Sequence, residues 1–256
     1  MPTYSPCVFC GRTDSKPSRE HVLAQWISRE WPGKGVWDIE NTVTGKRFKA
    51  THIKLISRKP CIRCNTGWMM NLERTVKPIL LPLMSGQRTT LSSEQQALVV
   101  RWFIKTAIMH EMLGPEPYFF QPYERRALET SLEVPKPTLF FLGQYLGQKP
   151  VSTIAIHIPL VAGQGTDQAT PVSGYSATFT IKQLALQLFS LRVPPTFPFG
   201  QISLHLPANL SDMAVQIWPV VENPLPWPPP FWLDEDAREL FQSRWTVLNE
   251  PPEIHE

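Results

Sequence analysis

The chain reads as an α+β protein: a small cysteine-stapled module at the N-terminal end, helices in the middle and a β-rich C-terminal region. Three observations predict this. All four cysteines fall in two Cys-x-x-Cys pairs, Cys7/Cys10 and Cys61/Cys64. A capping signal at Ser92 opens a strongly apolar helical stretch. Beyond Pro115 the pattern turns to short apolar runs punctuated by proline, the mark of strands and turns.

The 256 residues suggest one large domain or two smaller ones, divided here as 1–80 and 81–256, and 42% hydrophobic content is ample for a core. No apolar run approaches the roughly 20 residues that span a bilayer, so no membrane partner is expected. Residues 1–6 lack a basic and then an apolar region, so no signal peptide is read there and a cytoplasmic location is expected. A homo-oligomer is left open. Charge is distributed unevenly. Residues 1–80 carry 14 Lys and Arg against 6 Asp and Glu, a net of +8. The remainder carries 11 against 16, a net of −5. A basic excess beside the cysteines suits a phosphate backbone, although a solvated basic face has the same composition.

In a reducing compartment, four cysteines in two knuckles are metal ligands rather than disulfides. Each Cys-x-x-Cys turn brings two thiolates to one ion, and Cys7, Cys10, Cys61 and Cys64 together supply a tetrahedral structural Zn²⁺ site. The gap from Gly11 to Pro60 exceeds that of a short zinc ribbon, so a sub-element must loop out between the knuckles.

Val22-Leu23 fits a short strand, and Ala24 to Trp31 a helical turn or two that Pro32-Gly33 ends. From Val36 to Ser57, Val43, Phe48, Ile53 and Ile56 alternate around turn signals at Asn41 and Thr44-Gly45, suggesting an antiparallel hairpin rich in Lys and Arg. After Cys64, Trp68, Leu72, Val76 and Leu80 recur at helical spacing, and Pro78 is expected to bend or end that helix. Ser92 and Gln95 form a capping box for a helix that runs to Gly114-Pro115. Its Trp, Phe and Met residues are core rather than a cofactor box. Strands follow at 139–142, 153–161, 176–181, 184–191 and 201–206, with a hairpin across Lys182-Gln183 that lacks Gly or Asn. Pro224 to Pro230 is a stiff extended segment holding Trp227, wrapping over the body or offering a PxxP ligand. Asp234 caps a final helix.

The acid–base chemistry lies between the knuckles. His21 can take a proton from water at neutral pH. Glu20 and Asn65 offer hard oxygen donors of the kind that hold Mg²⁺ or Mn²⁺. Other roles are open: Asn65 also suits the N-cap of a helix beginning near Thr66. Glu73 suits an ion pair with Arg74 or with a basic residue on another element. Trp26 and Trp68 suit sealing of the zinc module. A Glu-His pair alone is commonly structural; flanked by two knuckles it points to an active site.

Cys-x-x-Cys, then Glu20-His21-Val22-Leu23, then Cys61-Ile62-Arg63-Cys64-Asn65 resembles the HNH endonucleases of the ββα-metal (His-Me finger) type. The longer match, Glu-His-Val-Leu-Ala-Gln-Trp with Cys-Ile-Arg-Cys-Asn-Thr-Gly-Trp-Met-Met-Asn-Leu-Glu, is similar to a bacterial subgroup with a large C-terminal extension. The resemblance covers about the first third of the chain. It implies a hydrolase that cuts DNA phosphodiesters with His21 as general base. It further implies Glu20 and Asn65 around a catalytic Mg²⁺ or Mn²⁺, with zinc as a structural staple. Lys46, Arg47, Lys49, Lys59 and Arg63 are then the expected backbone contacts to double-stranded DNA. The sequence departs from the family's pattern in two places. The bracing Asn expected before the second knuckle is missing from Ile53 to Pro60, with Asn41 and His52 as substitutes, and Trp68 and Met69 stand where Lys or a metal-binding His is common. These departures suit a second expectation, a module that has lost catalysis and binds nucleic acid or protein. A third makes the C-terminal region a sensor or partner-binding part.

Overall fold

A computed structural model of the chain describes residues 3–30, 37–41, 46–50, 55–148, 151–162, 170–192, 203–205, 210, 212–243 and 246–248. At 28, 37–41, 46–50, 154, 156–162, 170–172, 203–205, 242–243 and 246–248 the description is of backbone only. The chain divides into two compact units, Met1–Pro78 with Arg101–Val134, and Ile79–Val100 with Pro135–Glu256. The first unit therefore takes in Arg101–Val134 in addition to the cysteine-bearing segment. Helix and sheet are mixed throughout, as an α+β class requires. Among the described residues no helix is long and apolar enough to cross a membrane.

In the first unit, β1 (Glu20–His21) pairs antiparallel with β4 (Ile56–Ser57), Glu20 opposite Ser57 and His21 opposite Ile56. The strand thus begins two residues before the Val22-Leu23 expected from apolar pattern alone. Val22 and Leu23 are buried just beyond it, and Val22 N still donates to Leu55 O at 2.8 Å. Helix α1 (Gln25–Arg29) follows. The expected hairpin is present as β2 (Trp37–Asn41) against β3 (Lys46–Ala50), with Ile39 opposite Phe48. Its turn signal at Thr44-Gly45 and the candidate His52 lie outside the described residues.

The second knuckle opens a helical run: α2 (Ile62–Cys64), a π-helical turn (Asn65–Met69) broken at Gly67 (φ −94°, ψ −111°), then α3 (Met70–Met84). Two expectations change here. The run starts at Ile62 with Cys61 at its N-cap, so Asn65 is not an N-cap and instead follows α2 inside the run. Pro78 does not end α3, which continues six residues to Met84. Its apolar stripe of Leu72, Val76, Ile79, Leu80, Leu83 and Met84 is buried, and that burial outweighs the backbone hydrogen bond that Pro78 forfeits. In α4 (Ser93–Glu111) every residue from Trp102 to Met109 is buried. Helix α5 (Pro122–Ser131) completes the unit, with Gln121 N donating to Glu124 at 2.7 Å in its first turn.

The second unit is built on a six-stranded sheet. Its strands are β6 (Thr138–Tyr145), β7 (Val151–Ala162), β8 (Thr170–Ile181), β9 (Leu184–Arg192), β11 (Ala214–Trp218) and β13 (Trp232–Leu233). The order is β11-β6-β9-β8-β7, and β13 adds in parallel to β6. The β8–β9 hairpin turns on Lys182-Gln183 with no Gly or Asn, Lys182 taking φ +55°. Gln183 N donates to Met84 O at 3.2 Å and Gln144 Nε2 to Gln183 Oε1 at 3.0 Å, so tertiary bonds hold a turn that local propensity does not favour. The proline-rich stretch wraps over the body: within it, β12 (Leu225–Trp227) pairs with β5 (Thr89–Leu91), and Trp227 is buried. Two short strands, β10 (Ser203–His205) and β14 (Thr246–Leu248), pair with each other. Helix α6 (Glu235–Ser243) is capped by Asp234, whose Oδ1 accepts from Ala237 N at 2.8 Å. It packs Ala237 and Phe241 against Phe141, Tyr145, Ala185 and Leu233.

The capping box is formed as its sequence dictates. Ser92 N donates to Gln95 Oε1 at 2.9 Å, and Gln95 N donates back to Ser92 Oγ at 3.3 Å. Ser92→Ala is expected to lower unfolding free energy by about 1 kcal/mol in urea titration. An unchanged midpoint would mean that the box contributes nothing.

Candidate metal centre and adjoining site

The ligand groups of Cys7, Cys10, Cys61 and Cys64 lie within 4.8 Å of one another. Cys7 Sγ is 3.8 Å from Cys64 Sγ, and Cys10 Sγ is 3.7 Å from Cys61 Sγ. A tetrahedron with Zn–S bonds of about 2.3 Å has S–S edges of about 3.8 Å, so the four sulfurs fit one zinc ion. The separations are far beyond the roughly 2.05 Å of a disulfide, and all four cysteines are free. Protonation chemistry agrees. The contact between the Cys7 and Cys64 thiols holds Cys7 down to about 4 and pushes Cys64 up.

Local backbone makes the knuckles. Gly11 takes φ +69°, and its N–H donates to Cys7 O at 2.9 Å, which closes the first turn. The second closes with Asn65 N donating to Cys61 O at 3.1 Å. The two are stitched together: Cys61 N donates to Cys7 Sγ at 3.2 Å, Val8 N to Lys59 O, Ser18 N to Pro60 O and Ile62 N to Lys16 O. Phe9, between the first two thiols, meets Trp68 edge-on with ring centroids 5.1 Å apart, so Trp68 seals the knuckle. Trp26 instead lies under Lys77 Nζ at 5.4 Å.

The three residues expected at the active site each take a different partner. His21 is partly exposed, and Gln25 Nε2 stands 3.3 Å from its Nδ1 and 3.4 Å from its Nε2. Asn65 Nδ2 donates to Ser18 Oγ at 2.5 Å, which places the Asn65 side chain against the segment leading into β1. Glu20 is 8% exposed, and its Oε1 accepts from Lys105 Nζ at 3.3 Å. Lys105 also donates to Glu73 Oε1 at 2.6 Å, so Glu73 has its basic partner on another element, α4, rather than in Arg74. Of the expected oxygen donors for Mg²⁺ or Mn²⁺, the Glu20 carboxylate already faces an ammonium and does not suit a divalent ion. Among the described residues, the four cysteines are the one group of three or more His, Cys, Asp or Glu arranged to hold a metal.

Lys105 is fully buried. Burial alone would lower its pKa, but Glu73 and Glu20 raise it above the ordinary lysine value and hold it charged. Glu20 is pushed up by burial and drawn back by Lys105. The lysine's contribution to stability is thus complete below the ordinary lysine pKa of about 10.4 and is lost as pH rises through its higher folded value.

Of the expected nucleic-acid contacts, Lys59 and Arg63 are exposed on either side of Cys61. Lys46, Arg47 and Lys49 lie on β3, and their side chains lie outside the described residues. A cavity of about 750 Å³ opens beside the first knuckle, walled in part by Lys59, Tyr118, Arg125 and Arg126. Arg125 is buried there and donates from Nε to Val8 O at 2.9 Å. No local pattern singles out Gln25, Arg125 or Arg126. Lys105 alone carried a local signal, a single charge inside the run Trp102-Phe103-Ile104-Lys105-Thr106-Ala107-Ile108-Met109. Of the other histidines, His110 is pushed down to about 4 by burial. The chain matches no protein-family model, no curated protein and no solved structure.

Two outcomes are expected. The purified chain holds one zinc, and Cys61→Ser loses both that zinc and cooperative unfolding, because metal binding is part of folding free energy. Full zinc retention in the variant would rule out the cluster as the ligand set. Lys105→Met costs about 3 kcal/mol by leaving two carboxylates uncompensated, and adding Glu20→Gln returns much of that loss in the same denaturation assay. Equal stability of the single variant and wild type would contradict the ion network.

Proposed function

We propose that the first unit is a zinc-stapled HNH-type endonuclease module of the ββα-metal kind, hydrolysing DNA phosphodiesters with His21 as general base. One observation carries this reading. The thiol cluster ties the segment leading into β1 to the start of the helical run, with His21 partly exposed on a strand pair and the Asn65 side chain bonded to Ser18.

His21 accepts a proton from a water molecule, whose oxygen forms a bond to phosphorus as the bond to the 3′-oxygen breaks. The departing oxygen takes a proton from solvent, leaving a 5′-phosphate and a 3′-hydroxyl. Gln25 orients the imidazole from one side. Lys59 and Arg63 hold the strand through its phosphates, and Lys46, Arg47 and Lys49 are the further contacts expected from the sequence. Cys7, Cys10, Cys61 and Cys64 would hold zinc in a structural part only, since four thiolates would leave no open position for substrate.

The competing reading is a zinc module that binds nucleic acid or protein without cutting. The Glu20–Lys105 ion pair favours it, since it takes up a carboxylate that the family resemblance gives to a metal. The assay that decides uses supercoiled plasmid with Mg²⁺ or Mn²⁺. Wild type is expected to nick it, and His21→Ala to lose at least about 100-fold in rate with zinc content and fold unchanged. Binding without cleavage under any divalent ion would install the competing reading.

A further inference from the structure

We propose that Lys105 is a positioning residue of this site: it draws the Glu20 carboxylate inward as the anchor of β1, not as a ligand for a divalent ion, and so turns His21 outward. The inference rests on the reading of His21 as general base.

The geometry is specific. Lys105 projects from the most apolar turn of α4, with Phe103, Ile104, Ala107 and Ile108 fully buried around it in sequence. An ammonium in such a place persists only with counter-charges, and two converge on it, from β1 at 3.3 Å and from α3 at 2.6 Å. A cation is therefore already seated where Glu20 would offer its oxygen. A divalent ion bound to the same carboxylate would meet that ammonium at close range.

Strand geometry carries the consequence to His21. Successive side chains in a strand point to opposite faces. With Glu20 fixed inward and buried, the next residue must face out, and His21 is indeed the partly exposed member of the pair. The pairing of Glu20 with Ser57 and His21 with Ile56 sets this register from the other side. Lys105 thus acts on the imidazole through one peptide unit, by selecting the face on which Glu20 lies.

The test uses the full, zinc-loaded chain and follows Mn²⁺ binding by electron paramagnetic resonance alongside plasmid cleavage. Glu20→Gln is expected to leave the Mn²⁺ dissociation constant and the half-saturating Mn²⁺ for cleavage within about twofold while lowering kcat, the split expected of a positioning group. Lys105→Met is expected to lower kcat by about tenfold or more, and Lys105→Arg, which keeps the charge, to recover most of it. Folding of each variant is read from zinc content and circular dichroism, and Lys105→Arg and Glu20→Gln decide the matter should Lys105→Met not fold. A loss of about tenfold or more in Mn²⁺ affinity on Glu20→Gln would make Glu20 a ligand and overturn this proposal alone. A wild-type chain that cuts no DNA overturns the nuclease reading, and this proposal with it.

Discussion

Closure of one tetrahedron by thiols from two distant knuckles is the constraint on which the first unit depends. The strand pair beside it is only two residues long on each side, too short to persist on its own. The bonds that flank it, from Ser18 to Pro60, from Val8 to Lys59 and from Ile62 to Lys16, all cross between the same two knuckles. Ordering so few residues across so long a loop costs conformational entropy that a handful of backbone hydrogen bonds cannot offset. An ion held by four thiolates can, because its binding free energy enters folding directly.

A second clamp works at right angles in chemical kind. Where the thiols are placed to share a soft cation, Lys105 uses a buried ammonium to gather carboxylates from β1 and α3. The thiol cluster fixes which segments meet, and the ion network fixes which side of β1 faces inward. Together they leave the imidazole, Gln25, Lys59 and Arg63 at least partly exposed near the knuckle-bearing segments. That division keeps the strongest polar interactions below the surface and leaves other polar side chains above it.

The sequence disclosed the parts of this design that depend on local spacing. Cys-x-x-Cys forces two sulfurs toward one ion, Ser92 and Gln95 satisfy each other's backbone donors, and Asp234 caps its helix, all within a few residues. What stayed hidden depends on distant partners. The start of β1 at Glu20 rather than Val22 follows from Ser57 opposite it, and no pattern within residues 20–23 encodes that. Pro78 argues locally for a helix end, yet buried apolar contacts carry α3 onward. Asn65 reads as an N-cap until Cys61 is seen to take that place four residues earlier in the helical run. Lys105 was visible as an anomaly in an apolar run, but its carboxylate partners lie 85 and 32 residues away along the chain.

X-ray absorption at the zinc edge on the purified chain tests the account at its root. Four sulfur scatterers at about 2.3 Å, with no nitrogen or oxygen in the shell, is the expected result. A mixed shell, or a chain that folds with no zinc at all, would contradict it and remove the reason for the two knuckles to meet.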